Sequence, residues 1–137
     1  MAKFISNDYK IELNSVDLST SIASATLDIT KEEQLTTAFG QTSVTRIAGL
    51  QDASLTLEFH QDFGTSAVDE TLFPVLGSLV PFTITPTSDA ISATNPEYSG
   101  TVLVTNYTPF DSATGELATF SITVPVSGDI TRSTAAA

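Results

Sequence analysis

Cysteine and tryptophan are absent from this chain, histidine occurs once, and cations are scarce. Without cysteine there are no disulfides and no thiolate chemistry, and the redox compartment stays unread. A lone histidine, His60, excludes a two-histidine metal site within one chain. Lys3, Lys10, Lys31, Arg46 and Arg132 are the 5 basic residues, set against 16 Asp and Glu for a net charge of −11. A surface so short of Lys and Arg cannot grip phosphates by neutralising them. Tight or sequence-specific nucleic-acid binding is therefore excluded, and repulsion is expected. No apolar run approaches the roughly 20 residues needed to cross a bilayer. The opening Met1–Asp8 lacks the apolar stretch of a signal peptide. The expectation is a chain made in the cytoplasm, with no address of its own and no membrane partner.

The usual signatures of chemistry are missing as well. There is no Gly-x-Ser-x-Gly elbow, no phosphate-cradling glycine motif and no alternating Asp-x-Asp-x-Asp calcium loop. Glu32-Glu33 and Asp69-Glu70 are sequence neighbours, which point to different faces of a strand or helix. His60 and Asp62 share a strand face, an arrangement able to orient an imidazole as a base, and one that strand faces also carry by chance. No catalytic residue, cofactor or metal site is assigned on this basis, and the chain is not expected to be an enzyme.

What the sequence does contain is period-two alternation in β-branched residues, the mark of strands with one buried face. In Ala53–Phe63, the residues Ala53, Leu55, Leu57, Phe59 and Gln61 fall on one side, and Ser54, Thr56, Glu58, His60 and Asp62 on the other. Ser99–Thr108 sets Val102 and Val104 opposite Thr101, Leu103, Thr105 and Tyr107. Leu117–Val126 sets Ala118, Phe120, Ile122 and Val124 opposite Thr119, Ser121, Thr123 and Pro125. Weaker runs are Tyr9–Leu13, Ile22–Thr30, Thr42–Ile47 and Val80–Pro86. About seven short strands predict an all-β sandwich or small barrel. With 137 residues and 41% apolar content, residues 1–137 make one domain with a real core.

Three segments break the alternation. Thr65–Gly77 opens on a Ser66/Asp69 pair suited to an N-cap and carries Val68, Leu72, Phe73, Val75 and Leu76 at helical spacing. Pro74 should kink or shorten that helix, and Gly77 suits its end. Residues 30–51 read as a long loop holding Leu35, Phe39, Arg46, Ile47 and Leu50 with no regular face to bury them. A protruding arm that becomes ordered against a neighbour accounts for this mixture, and so does a plain irregular hairpin. From about residue 127 the chain reads as a flexible tail.

From Thr45 to Phe63 (TRIAGLQDASLTLEFHQDF) the chain begins to resemble the major tail, or tail tube, proteins of long-tailed bacteriophages, particularly those infecting actinobacteria. The likeness continues through Val68–Gly77, Pro86–Ser88, Ser92–Gly100 and Val124–Arg132, in order over roughly the last two thirds of the chain. Before Thr30 only Val16-Asp17-Leu18-Ser19 matches, as a general pattern. The resemblance implies a β-sandwich or barrel with one flanking helix, found in the virion tail and assembled in the host cytoplasm. It implies hexameric rings stacked into a hollow tube, one sheet of each subunit joining a continuous barrel around the lumen. Its implied partners are copies of itself, the tape-measure protein, tail-end proteins, and DNA passing through without specific binding. Leu35, Phe39, Arg46, Ile47 and Leu50 then become candidate subunit contacts, and Glu58 and Asp62 candidate lumen-lining residues. Other ring-forming tail components fit the same pattern. A reading from a different class is a β-sandwich binding module for carbohydrate or a surface ligand, resting on Tyr98 and Tyr107.

Overall fold

The computed structural model describes Lys3 and residues 5–134. Its strands are β1 (Lys10–Leu13), β2 (Val16–Asp17), β3 (Ile22–Leu35), β4 (Arg46–His60), β5 (Leu79–Thr85), β6 (Glu97–Leu103), β7 (Thr119–Pro125) and β8 (Thr131–Ser133), with one α-helix, α1 (Val68–Leu72). They form two antiparallel sheets. The larger runs β2-β1-β5-β6-β8 and the smaller β3-β4-β7. An all-β fold with one short helix is what the alternation predicts.

The alternating residues supply the core between the sheets. Leu55, Leu57 and Phe59 of β4 and Phe120, Ile122 and Val124 of β7 face Ile11, Leu13, Val80, Phe82 and Val102 of the larger sheet, with Val104 just beyond the end of β6. Phe59 and Phe120 stack at 5.1 Å between ring centroids, and Tyr107 meets Phe120 edge-on at 5.3 Å. Gly100 stands opposite Phe82 in the β5–β6 register. A Cβ there would lie 3.0 Å from the Phe82 ring, so the large ring requires the small residue. Asn14 and Ser15, both with positive φ, join β1 to β2 in a two-residue hairpin turn.

Several expectations are corrected. The helix is shorter than Thr65–Gly77: α1 ends at Leu72, and a single 3-10 turn, Phe73–Val75, carries Pro74. No side chain caps it at Ser66; instead the Glu70 carboxylate accepts the Ser66 amide hydrogen. The region 30–51 is not a long loop but the irregular hairpin that the sequence also allows: β3 and β4 pair through it and leave only residues 36–45 as connection. Two strands are therefore long, at 14 and 15 residues, where short ones were expected. The tail from residue 127 is held in part, since Thr131–Ser133 pair with Glu97–Ser99 of β6. The closing alanines, 135–137, lie outside the described residues. Finally β6 ends at Leu103, so Thr105–Thr108 continue as irregular chain and not as strand.

Candidate assembly surfaces

The pairing that holds the body together also builds a projection. Up to Ile29, β3 turns Ala25, Leu27 and Ile29 toward the core side, in register with Leu57, Leu55 and Ala53. β7 stops at Pro125, opposite Ser54. Beyond that point β3 and β4 have only each other, and every residue from Thr30 to Gln51 is exposed apart from Gly49. The two strands leave the body as a ribbon on the order of 20 Å long, at about 3.4 Å per residue.

The ribbon's order comes from hydrogen bonds. At its root end Thr30 pairs with Asp52, and near its tip the Thr36 amide hydrogen goes to the Thr45 carbonyl at 2.8 Å. The Thr36 and Thr45 hydroxyls meet at 2.7 Å, and the Thr45 amide donates to the Thr37 hydroxyl at 2.9 Å. Arg46 pairs with Glu33 across the strands. The register slips between Lys31 and Glu33, where β4 carries one extra residue in a β-bulge. Gly49 sits in that bulge, and a Cβ on it would crowd Glu32 Cβ at 3.2 Å.

All five candidate contact residues stand on this ribbon or its tip. Phe39 is fully exposed, Leu50 is 81% exposed, and Leu35 and Ile47 are more than half exposed, as is Val44 at the end of the connecting loop. An isolated two-stranded ribbon is marginal in water, and apolar side chains gathered on an uncovered projection mark an interaction surface.

The small sheet provides two further surfaces. Its outer face carries Ser24, Thr26, Asp28 and Thr30 of β3, Asp52, Ser54, Thr56, Glu58 and His60 of β4, and Thr119, Ser121 and Thr123 of β7. Three carboxylates lie among these hydroxyls, and no Lys or Arg does. β3 is an edge, with no strand on its other side among the described residues. β7 is the opposite edge, joined in backbone pairing to the large sheet at the Val102–Val126 bridge. Two of its outward groups are met by side chains: the Thr123 carbonyl accepts from Asn106 Nδ2 at 2.8 Å and the Thr119 amide donates to the Ser112 hydroxyl at 3.2 Å.

Glu58 lies on that acidic face, and Asp62 does not. The β4–β7 register carries one step past His60, with the Gln61 amide donating to the Ala118 carbonyl. The chain then leaves the sheet as the Gln61 side chain turns to Tyr107 and Pro109. Asp62 then closes a local turn: its Oδ1 accepts the Gly64 amide hydrogen at 2.9 Å, and its carbonyl accepts that of Asp69. The His60–Asp62 pairing is accordingly not assembled. His60 Nδ1 is buried without a hydrogen-bond partner, while the Asp62 carboxylate is held by Gly64.

A polar network organises this end of the body. Gln61 Nε2 donates to the Tyr107 hydroxyl at 3.1 Å and to the Pro109 carbonyl at 2.9 Å, and Tyr107 donates to Asp69 Oδ1 at 2.6 Å. Burial, reinforced by the bond to Asp69, pushes the Tyr107 phenol up to about 12. With its hydroxyl engaged and its ring against Phe120, Tyr107 is not a free stacking platform for a sugar. Tyr98 lines an open apolar cleft of about 350 Å3 with Tyr9, Leu27, Ile29, Ile84 and Pro86 at the root of the ribbon.

Sequence reasoning missed this cleft, and it missed the stacking of Phe63 on Phe110 at 5.6 Å. Neither leaves a local signal, because each joins residues dozens of positions apart. Among the described residues no group of three or more His, Asp or Glu side chains is arranged to hold a metal ion. Among the described residues no helix is long and apolar enough to cross a membrane.

Comparison with known proteins places these surfaces on a recognised fold. No family model matches the chain, and no curated protein does. A solved structure does match, a chain described as part of the virion of a native gene transfer agent particle. It superposes with a TM-score of 0.75 at 13% sequence identity, covering 96% of this chain and 99% of that one. At that identity the likeness shows the fold, and it runs through nearly the whole length of both chains.

Proposed function

We propose that this chain is a virion structural protein that assembles with copies of itself, and that it forms the tube of a phage-like tail. The observation that carries this reading is the uncovered ribbon from Thr30 to Gln51, an element whose apolar residues have nothing to pack on within one copy. Its support from outside is the end-to-end fold likeness to a virion chain.

The two edges of the small sheet suit lateral growth, β3 being bare and β7 covered only by the Asn106 and Ser112 side chains among the described residues. β3 of one copy set beside β7 of the next extends the ladder, and six such steps close a hexameric ring with the hydroxyl- and carboxylate-bearing face inward. Glu58, Asp28 and Asp52 then line the lumen. Six chains at −11 give about −66 per ring (6 × −11), so DNA passes without adhering. The ribbon reaches from one ring to the next and stacks them. Within such a tube the partners are the tape-measure protein, tail-end proteins and DNA in transit, in a tail assembled in the host cytoplasm.

Negative-stain electron microscopy of the purified chain tests the proposal, with rings or hollow tubes as the expected outcome. A strictly monomeric species at high concentration overturns it. Open-ended growth in vitro selects the tube subunit over a connector or distal component, which stops at one ring.

A further inference from the structure

The two ends of the body differ in chemistry. The chain that follows β4 and β6, residues 61–79 and 104–118, carries Asp62, Asp69, Glu70, Asp111 and Glu116 and not one Lys or Arg. Two of the chain's five cations, Lys31 and Arg46, stand on the ribbon itself. Within residues 30–51, Lys31 and Arg46 balance Glu32 and Glu33, so the ribbon is net neutral in a chain of −11.

The acidic end displays an aromatic pair. Phe63 is 56% and Phe110 82% exposed, and their rings stack at 5.6 Å with 29° between planes. They are held there by deeper bonds: Gln61 ties the two loops together through Tyr107 and Pro109, and Asp62 fixes the turn through Gly64. Exposed aromatic rings on so organised a base form a preformed anchor. The mate for it lies on the same molecule. Phe39, fully exposed at the ribbon tip, is separated from the pair by the length of the ribbon plus the part of β4 that lies in the body, on the order of 40 Å. One copy cannot close this contact on itself.

We propose that the ribbon tip of one copy docks through Phe39 on the Phe63–Phe110 pair of a second copy. The contact is head-to-tail, so it leaves a free tip and a free pair at the two ends of any stack and repeats without saturating. It adds a third ring to a stacked pair. A net-neutral projection is the part of this molecule that meets an acidic surface with least repulsion. The inference rests on the stacking reading above and specifies its receptor.

The absence of cysteine makes the test direct. Phe39→Cys and Phe110→Cys are introduced singly and together in the full chain, and oxidised under the conditions in which the parent protein assembles. The double variant is expected to give a ladder of covalent multiples on a non-reducing gel. A mixture of the two single variants is expected to give crosslinked dimer at ten or more times the yield of either alone. Rings and tubes that form without a 39–110 crosslink overturn the docking site and leave the stacking reading standing. Efficient self-crosslinking of the Phe39→Cys single variant overturns it in favour of ribbon-to-ribbon contact. A parent chain that stays monomeric overturns both. As a second arm, Phe110→Asp should keep the parent's urea midpoint and abolish stacking, and tubes of normal length from that variant count against the proposal.

Discussion

One strand runs through two different environments. From Ala53 to Phe59, β4 has β3 on one side and β7 on the other, and alternate side chains vanish into the core. From Arg46 to Asp52 it has β3 alone and no second sheet behind it. The ladder bonds are of the same kind in both halves. What changes is burial: a leucine fully removed from water stabilises by about 1.5–3 kcal/mol, and Leu55 and Leu57 are wholly buried whereas Leu50 is 81% exposed. Backbone pairing is therefore enough to shape the ribbon and the core is what stabilises the body. Whatever the apolar residues of the ribbon contribute is realised only when another molecule covers them.

The sharpest way to break this contrast is in the body. Leu57→Ala opens a cavity at a fully buried site of β4, and a loss of about 2–5 kcal/mol is expected in urea unfolding of the monomer. A loss under about 1 kcal/mol would mean that the body is as loosely packed as the ribbon. Gly100→Val is next. Its Cβ alone lies 3.0 Å from the Phe82 ring, and forcing the ring aside should cost about 1–3 kcal/mol in the same measurement.

Tyr107 carries a smaller effect with a pH signature. Its folded pKa of about 12 stands above the unfolded value of 10.0, so the folded state holds the phenolic proton more tightly. The associated stability is whole below pH 10 and is lost as pH rises through 10 toward 12. Urea midpoints measured across that window should fall in the parent. Tyr107→Phe should remove that part of the slope and lower the plateau by roughly 1 kcal/mol, the worth of the hydrogen bond to Asp69. An unchanged slope would show that Tyr107 is not the titrating group.

These sites also mark what was legible beforehand. Leu57, Phe120 and Val102 were readable because a backed strand repeats every second residue, and sidedness alone predicts their burial. That residues 30–51 read equally as a loop or an irregular hairpin has a physical reason. The bulge between Lys31 and Glu33 shifts one strand by a residue, so Leu35, Ile47 and Leu50 fall out of step, and a strand without a core imposes no sidedness to detect. Asp62 was placed on the strand face because alternation says nothing of where a strand ends. That end is set by Gln61, Tyr107 and Pro109, which are far apart in the chain. The sequence resemblance points to a self-assembling chain, but only the fold shows which element is left uncovered.

The smallest expected change in stability is the one that tests the other half of the contrast. Leu50→Ser removes an exposed apolar side chain from a segment with no core behind it, and the monomer's urea midpoint should stay within about 0.5 kcal/mol of the parent. Ribbon residues that serve assembly predict a second result for the same variant: a raised critical concentration for tube growth, followed by light scattering. A monomer destabilised like Leu57→Ala would instead show that the ribbon packs within its own copy. Unimpaired growth would remove Leu50 from the contact while leaving Phe39 to be judged by crosslinking. The pair of measurements matters more than either alone, because a side chain indifferent to folding and necessary for assembly has its partner on another molecule.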